Sequence, residues 1–163
     1  MSKWYGDLSN RLEEGQNFTG REIRVGDDIT MYHWSDRTCY YVTAVESQKR
    51  IKVKRWFVCA DHSKEGGMGH QNWLYFRSSR EMNEYLSQFY PSSNRKYIEG
   101  EDGEFTWVFR YNKWVEEFSS DDATYATGKE KKSVEKHGCY KRYFPLNGKI
   151  SFGVRDYYYD WEF

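Results

Sequence analysis

Between residues 28 and 58 apolar and polar positions alternate in three successive runs. In "DITMYHW" Ile29, Met31 and His33 fall on one side and Thr30, Tyr32 and Trp34 on the other, the period of two expected of a half-buried strand. "CYYVTAV" follows Ser35, Asp36 and Arg37, and "RIKVKRWFV" follows the polar break "ESQK", so short turns should join three strands into a meander. In the third run Ile51, Val53 and Phe57 face inward while Lys52, Lys54 and Trp56 face out. Arg55 would then fall on the inward side, which marks a bulge or a strand end there. Val25-Gly26-Asp27 introduces the meander as a turn, in the manner of a small SH3-like barrel.

Beyond this meander the texture changes. "ADHSKEGGMGHQ" reads as a glycine-rich loop leading into a strand, "NWLYFR". In "SSREMNEYLSQFY" the residues Met82, Tyr85, Leu86 and Phe89 recur at helical spacing behind a capping box of Ser78 and Glu81, and Pro91 ends the run, so a helix is predicted at 79–90. "FTWVFRYNKWVEEF" predicts a hairpin about Asn112 and Lys113, and "LNGKISFGVRDYYYDWEF" predicts two further strands after an Asn147-Gly148 turn. The charged stretch 119–143 lacks an apolar period and is expected to be an exposed loop. Residues 1–22 mix charges with little periodicity and are expected to form a peripheral arm.

Composition sharpens this into a fold class. Phe, Trp and Tyr make up 20% of the 163 residues, and flat rings pack well on pleated sheets. The expectation is a mainly β (β-rich α+β) single domain spanning 1–163: a bent antiparallel sheet or small SH3-like barrel with C-terminal hairpins and one packed helix. Segments 79–100 and 119–143 read as insertions. Lys+Arg and Asp+Glu are equal at 25 each, so no global attraction to nucleic acid or to an anionic membrane follows. No apolar run approaches the ~20 residues of a membrane span, and the opening residues carry no secretion signal, so a cytoplasmic protein is expected. Cys39, Cys59 and Cys139 show no CxxC spacing and suggest neither a disulfide framework nor a zinc site.

Candidate chemistry is sparse. "HWSDRT" gathers His33, Ser35, Asp36 and Arg37, but no oxyanion-hole glycine lies beside the serine. Its polar groups suit a hairpin turn, with Arg37 paired to Asp156 or Asp160. Asp61, His62, Glu65 and His70 match no closed zinc spacing. Gly66, Gly67 and Gly69 precede a strand rather than a helix, so the dipole half of a phosphate site is missing. No catalytic residue, metal or cofactor is therefore assigned. Lys49, Arg50, Lys52, Lys54 and Arg55 with Trp56 form the best candidate for a nucleic-acid surface. More aromatic side chains are present than such a domain can bury, so some should anchor a protein interface. Trp34, Asp36, Arg37, His70, Lys131, Lys132 and Lys136 are the candidate partner-binding residues.

The ordered set "VGD" at 25–27, "WSDRTCYYVTAV" at 34–45, "GGMG" at 66–69, "RYNKWV" at 110–115 and "FGVRDYYYDWEF" at 152–163 resembles a group of small accessory proteins encoded by phages and prophages. The resemblance runs over roughly 23–77 and 105–163. It implies a phage origin and a β-rich fold, and of itself no activity. Because small phage accessory proteins often act on host defences, the leading expectation is a non-enzymatic protein that binds and inhibits a host protein or nucleoprotein complex, such as a CRISPR-type nuclease defence. The alternatives are a nucleic-acid-binding module of phage replication or packaging, and a binder that sequesters a nucleotide signal.

Overall fold

The computed structural model describes residues 22–33, 36–61, 72–89, 103–155 and 157. Nine strands run as β1 (Asp28–Tyr32), β2 (Arg37–Ser47), β3 (Arg50–Arg55), β4 (Phe57–Ala60), β5 (Trp73–Phe76), β6 (Glu104–Arg110), β7 (Lys113–Ser120), β8 (Tyr140–Pro145) and β9 (Lys149–Phe152). Two helices, α1 (Ser79–Ser87) and α2 (Gly128–His137), complete the described residues. The protein is mainly β. One antiparallel sheet of seven strands has the order β8-β7-β6-β3-β2-β1-β9, and β4 pairs with β5 in a separate sheet of two.

The predicted meander forms β1, β2 and β3. β1 and β2 are closed at the "HWSDRT" end by described residues on either side of Trp34 and Ser35: Tyr32 faces Arg37 in the ladder, and the His33 N–H donates to the Asp36 carbonyl at 2.8 Å. The third run breaks at Trp56, as the inward Arg55 required. β4 then leaves the main sheet to pair with β5. The β6–β7 hairpin turns one residue earlier than predicted, through Tyr111 (φ 53°) and Asn112 (φ 60°). Two successive left-handed residues match the twist of the flanking strands.

The sheet is rolled, and one short connection shows it. Laid flat, seven strands would separate β8 from β9 by about 29 Å, yet only Leu146, Asn147 and Gly148 join them, a reach of at most about 15 Å. The two edges must therefore approach across the front of the sheet. Ring contacts agree: Trp114 of β7 lies 5.5 Å from Phe152 of β9. The result is an open barrel, since β8 and β9 do not pair with each other. Of the two architectures expected, the bent sheet is the one formed, and it stops short of closure.

Alternation along each strand fills the barrel. Ile29, Met31, Val42, Ile51, Val53, Trp107, Trp114, Ile150 and Phe152 form one buried cluster, the dominant favourable term for folding. Gly148 sits so close to β1 that a Cβ added there would lie 2.1 Å from the Tyr32 carbonyl oxygen. Only glycine lets the connection pass. On the opposite face Cys39, Tyr41 and Trp56 make a second cluster with Val58, Tyr75 and Tyr157, and α1 packs on β4 and β5.

One expectation needs correction. The stretch 119–143 is no featureless loop, because it carries the end of β7, helix α2 and the start of β8. Thr127 and Glu130 form a reciprocal capping box at the start of α2, and Gly138 (φ 81°) ends it. The stretch escapes hydrophobic periodicity because α2 has no fully buried residue. Arg142 fastens it to β8 through paired hydrogen bonds to Glu130, both 2.9 Å. These bonds, with those from Thr127, hold the Glu130 carboxyl well down, at about 2. The peripheral arm at 1–22 and segment 90–100 lie almost wholly outside the described residues, as do most of the two strands expected after Asn147-Gly148 beyond β9.

Candidate binding site at the barrel mouth

Where the 146–148 connection crosses from β8 to β9, the rolled sheet leaves a cavity of about 320 Å³. Several strands send side chains to its wall. β1 and its turn supply Met31 and His33; β2 supplies Tyr40; β6 supplies Phe105 and Trp107; β7 supplies Glu116; β8 and the connection supply Phe144, Pro145, Leu146 and Asn147. The register explains the convergence. Trp107 pairs with Glu116 and Glu116 with Phe144, so these three side chains stand side by side on one face.

The rings make walls rather than a stack. Tyr40 meets Trp107 at 4.9 Å with planes 59° apart, and Phe105 at 6.4 Å with planes 79° apart. Trp107 is 2% exposed, whereas Phe105 and Phe144 are 36% and 46% exposed at the rim. Burial raises the Tyr40 hydroxyl above the usual tyrosine range, partly offset by Arg55 and by a hydrogen bond with Thr38. His33 is held at the rim by a 3.0 Å contact of its Nε2 with the Thr38 hydroxyl.

Glu116 is the unusual member. No hydrogen bond or ion pair reaches its carboxylate among the described residues, and burial alone pushes it above the usual carboxylate range. A carboxylate drawn out of water without a partner costs free energy. Among the described residues nothing offsets that cost.

The basic strand has the opposite character. Arg50 donates to both carboxylate oxygens of Glu117 at 2.7 and 2.6 Å and is also bonded to Glu46. Lys52 lies 4.0 Å from Glu46 and 3.9 Å from Glu104, and Lys141 lies 3.6 Å from Glu117. Acidic neighbours thus neutralise the strand's central cations. Lys49, Lys54 and Arg55 have no ion pair among the described residues. Trp56, expected to face outward as a stacking platform, is 8% exposed. Its indole N–H donates to Asp28 at 2.9 Å, and the Arg77 and Arg155 guanidinium carbons lie 5.2 and 5.0 Å from its ring centre. Buried to that degree and flanked by two guanidinium groups, the ring is no open platform for stacking a base, although it lines a cavity of about 420 Å³ with Arg55, Val58 and Tyr157.

The other candidate residues are scattered. Asp36 belongs to the first turn, and the Arg37 guanidinium carbon lies 5.9 Å from the centre of the Tyr32 ring. Its expected partners Asp156 and Asp160, like Trp34, Ser35 and His70, lie outside the described residues. Lys131, Lys132 and Lys136 are exposed on α2 and do not line the mouth. The metal candidates His62, Glu65 and His70 also lie outside the described residues. Among the described residues no helix is long and apolar enough to cross a membrane.

A larger space of about 670 Å³ under α2 is lined by Glu130, His137 and Tyr140 among others. Its carboxylate is already committed to Arg142, so the mouth is the stronger candidate. No protein-family model, curated protein or solved structure matches the chain. The functional reading therefore rests on geometry and chemistry.

Proposed function

We propose that the chain is a non-catalytic binding protein that engages a protein partner through the barrel mouth and acts by occupying that partner. One observation carries the reading: Glu116, an unpaired and partly buried carboxylate, stands among aromatic side chains at an opening to solvent. Groups that cost stability and serve no contact of the fold are characteristic of recognition sites. Tyr, Trp and Phe at a rim are the usual anchors of protein interfaces. The phage-type motif order favours a host partner, either a defence protein or a nucleoprotein complex.

The test is affinity capture from lysate of infected host cells, with and without nuclease, using the wild-type protein and a Phe105→Ala/Phe144→Ala variant. A partner retained after nuclease treatment and lost with the rim variant supports the reading. Capture that disappears with nuclease overturns it in favour of the nucleic-acid module, for which the unpaired Lys49, Lys54 and Arg55 would be the contacts.

A further inference from the structure

Resting on the mouth as the binding site, we infer that its occupant is an N-methylated ammonium group, such as a methylated lysine side chain presented by the protein partner.

Charge comes first. Among the described residues the Glu116 carboxylate has no cation beside it, so a charge that would balance it is one that arrives with a ligand. The titratable groups around it are His33 from the first turn and Tyr40 from β2, with Arg55 acting on Tyr40 from β3. None of them pairs with Glu116.

The walls select the kind of cation. Trp107 and Phe144 flank Glu116 in the ladder, and Tyr40 stands nearly across the Phe105 ring. A cation inside would meet ring π-systems, an attraction worth most when the site is desolvated.

Donor accounting then separates the cations. A guanidinium brings five N–H donors and a primary ammonium three. Against these the cavity offers the Glu116 carboxylate and the Asn147 side-chain oxygen, since the His33 Nε2 and the Tyr40 hydroxyl are already engaged with Thr38. Each buried donor left unmet carries a penalty. A methylated ammonium keeps the charge, has few or no donors to satisfy, and is less strongly hydrated. The cavity, about 320 Å³, admits such a group together with its alkyl stem.

The test is titration of the full chain, read by tryptophan fluorescence and by methyl proton shifts. The probes are three N-acetylated amino-acid amides: trimethyllysine, its uncharged carbon isostere, and arginine. Trimethyllysine is expected to bind about tenfold more tightly than the isostere, a cation–π and charge difference of ordinary size, and more tightly than arginine. Glu116→Gln should erase the advantage over the isostere while leaving the thermal midpoint intact. Equal binding of cation and isostere, or tighter binding of arginine, overturns the inference. So does failure of every probe to bind at millimolar concentration while rim-dependent partner capture persists, an outcome that leaves the proposed function standing.

Discussion

Glu116 and Glu117 are neighbours on β7 and could not be more differently placed. A strand sends successive side chains to opposite faces, so one carboxylate enters the barrel mouth and the other the outer surface. Glu117 is 4% exposed at its side chain, yet paired hydrogen bonds from Arg50, with support from Lys141, hold it below the usual carboxylate range. Glu116 is partly buried, has no partner among the described residues, and is held above that range. The outer face uses charge to fasten β3, β7 and β8 together. The inner face keeps a charge that fastens nothing, which is the arrangement expected where a ligand completes the site.

The largest effect should come from orphaning the outer carboxylate. Arg50→Met is expected to lower stability by about 2–3 kcal/mol in urea unfolding, below the full cost of stranding a buried charge because Lys141 remains and Arg50 is partly exposed. A loss near zero would show that the outer pairs are ornamental and dissolve the contrast. Gly148→Ala acts on the inner side. Its Cβ would collide with the Tyr32 carbonyl, and a loss of about 1–3 kcal/mol is expected as the connection lifts from β1. Partner capture should fall with it.

Acid titration sharpens the comparison. Glu117 has a depressed pKa in the folded chain, so its contribution is present above the unfolded carboxylate value near 4.3 and is lost as pH falls through the folded value. Glu116 is raised, so it opposes: the unfolded chain gives up this proton first, and stability falls as pH rises from near 4.3 through the higher folded value. Glu116→Gln should therefore leave stability at neutral pH unchanged or slightly higher, with a steeper rise of stability with pH above the unfolded carboxylate value near 4.3. A marked loss at neutral pH in this variant would mean that Glu116 has a structural role. The smallest effect is expected from replacing Lys49, Lys52 and Lys54 together by Gln. Stability should move by no more than about 0.5 kcal/mol, since exposed pairs contribute little. A changed salt slope for nucleic-acid binding would instead restore the basic strand as a contact surface.

Strands were the most legible part of the chain, since the inward positions of "DITMY", "RIKVK" and "FTWVFR" are apolar at every second residue, even in β1, whose other face is also buried. Helix α2 was hidden for the complementary reason: with no buried stripe, its signals are the Thr127–Glu130 box, Lys136 and His137 in the last turn, and Gly138. Those are local end signals that need no core. The mouth was hidden because it is assembled from five strands and a connection distant in sequence. "WVEEF" looks like a solvated pair of acids until alternation is applied. Trp114, Glu116 and Phe118 then share a face, and a carboxylate between two aromatic side chains is the signal that could have been read. Trp56 misled because it alternates outward correctly, but the outward side there is covered by β4, β5 and two arginines.

The pairing of β1 with β9 also governs how the chain comes into being. Thr30 faces Ser151 across that ladder, and its hydroxyl donates to the Val154 carbonyl at 2.6 Å. During synthesis these partners leave the ribosome roughly ten seconds apart. Throughout that interval β1 has a neighbour on one side only, and its other edge is a bare row of N–H and C=O groups open to any strand that passes. Contacts so remote along the chain also slow folding once it is released. The barrel therefore cannot be completed from its beginning, and the stretch that finishes it, at 146–152, is also the one that shapes its mouth.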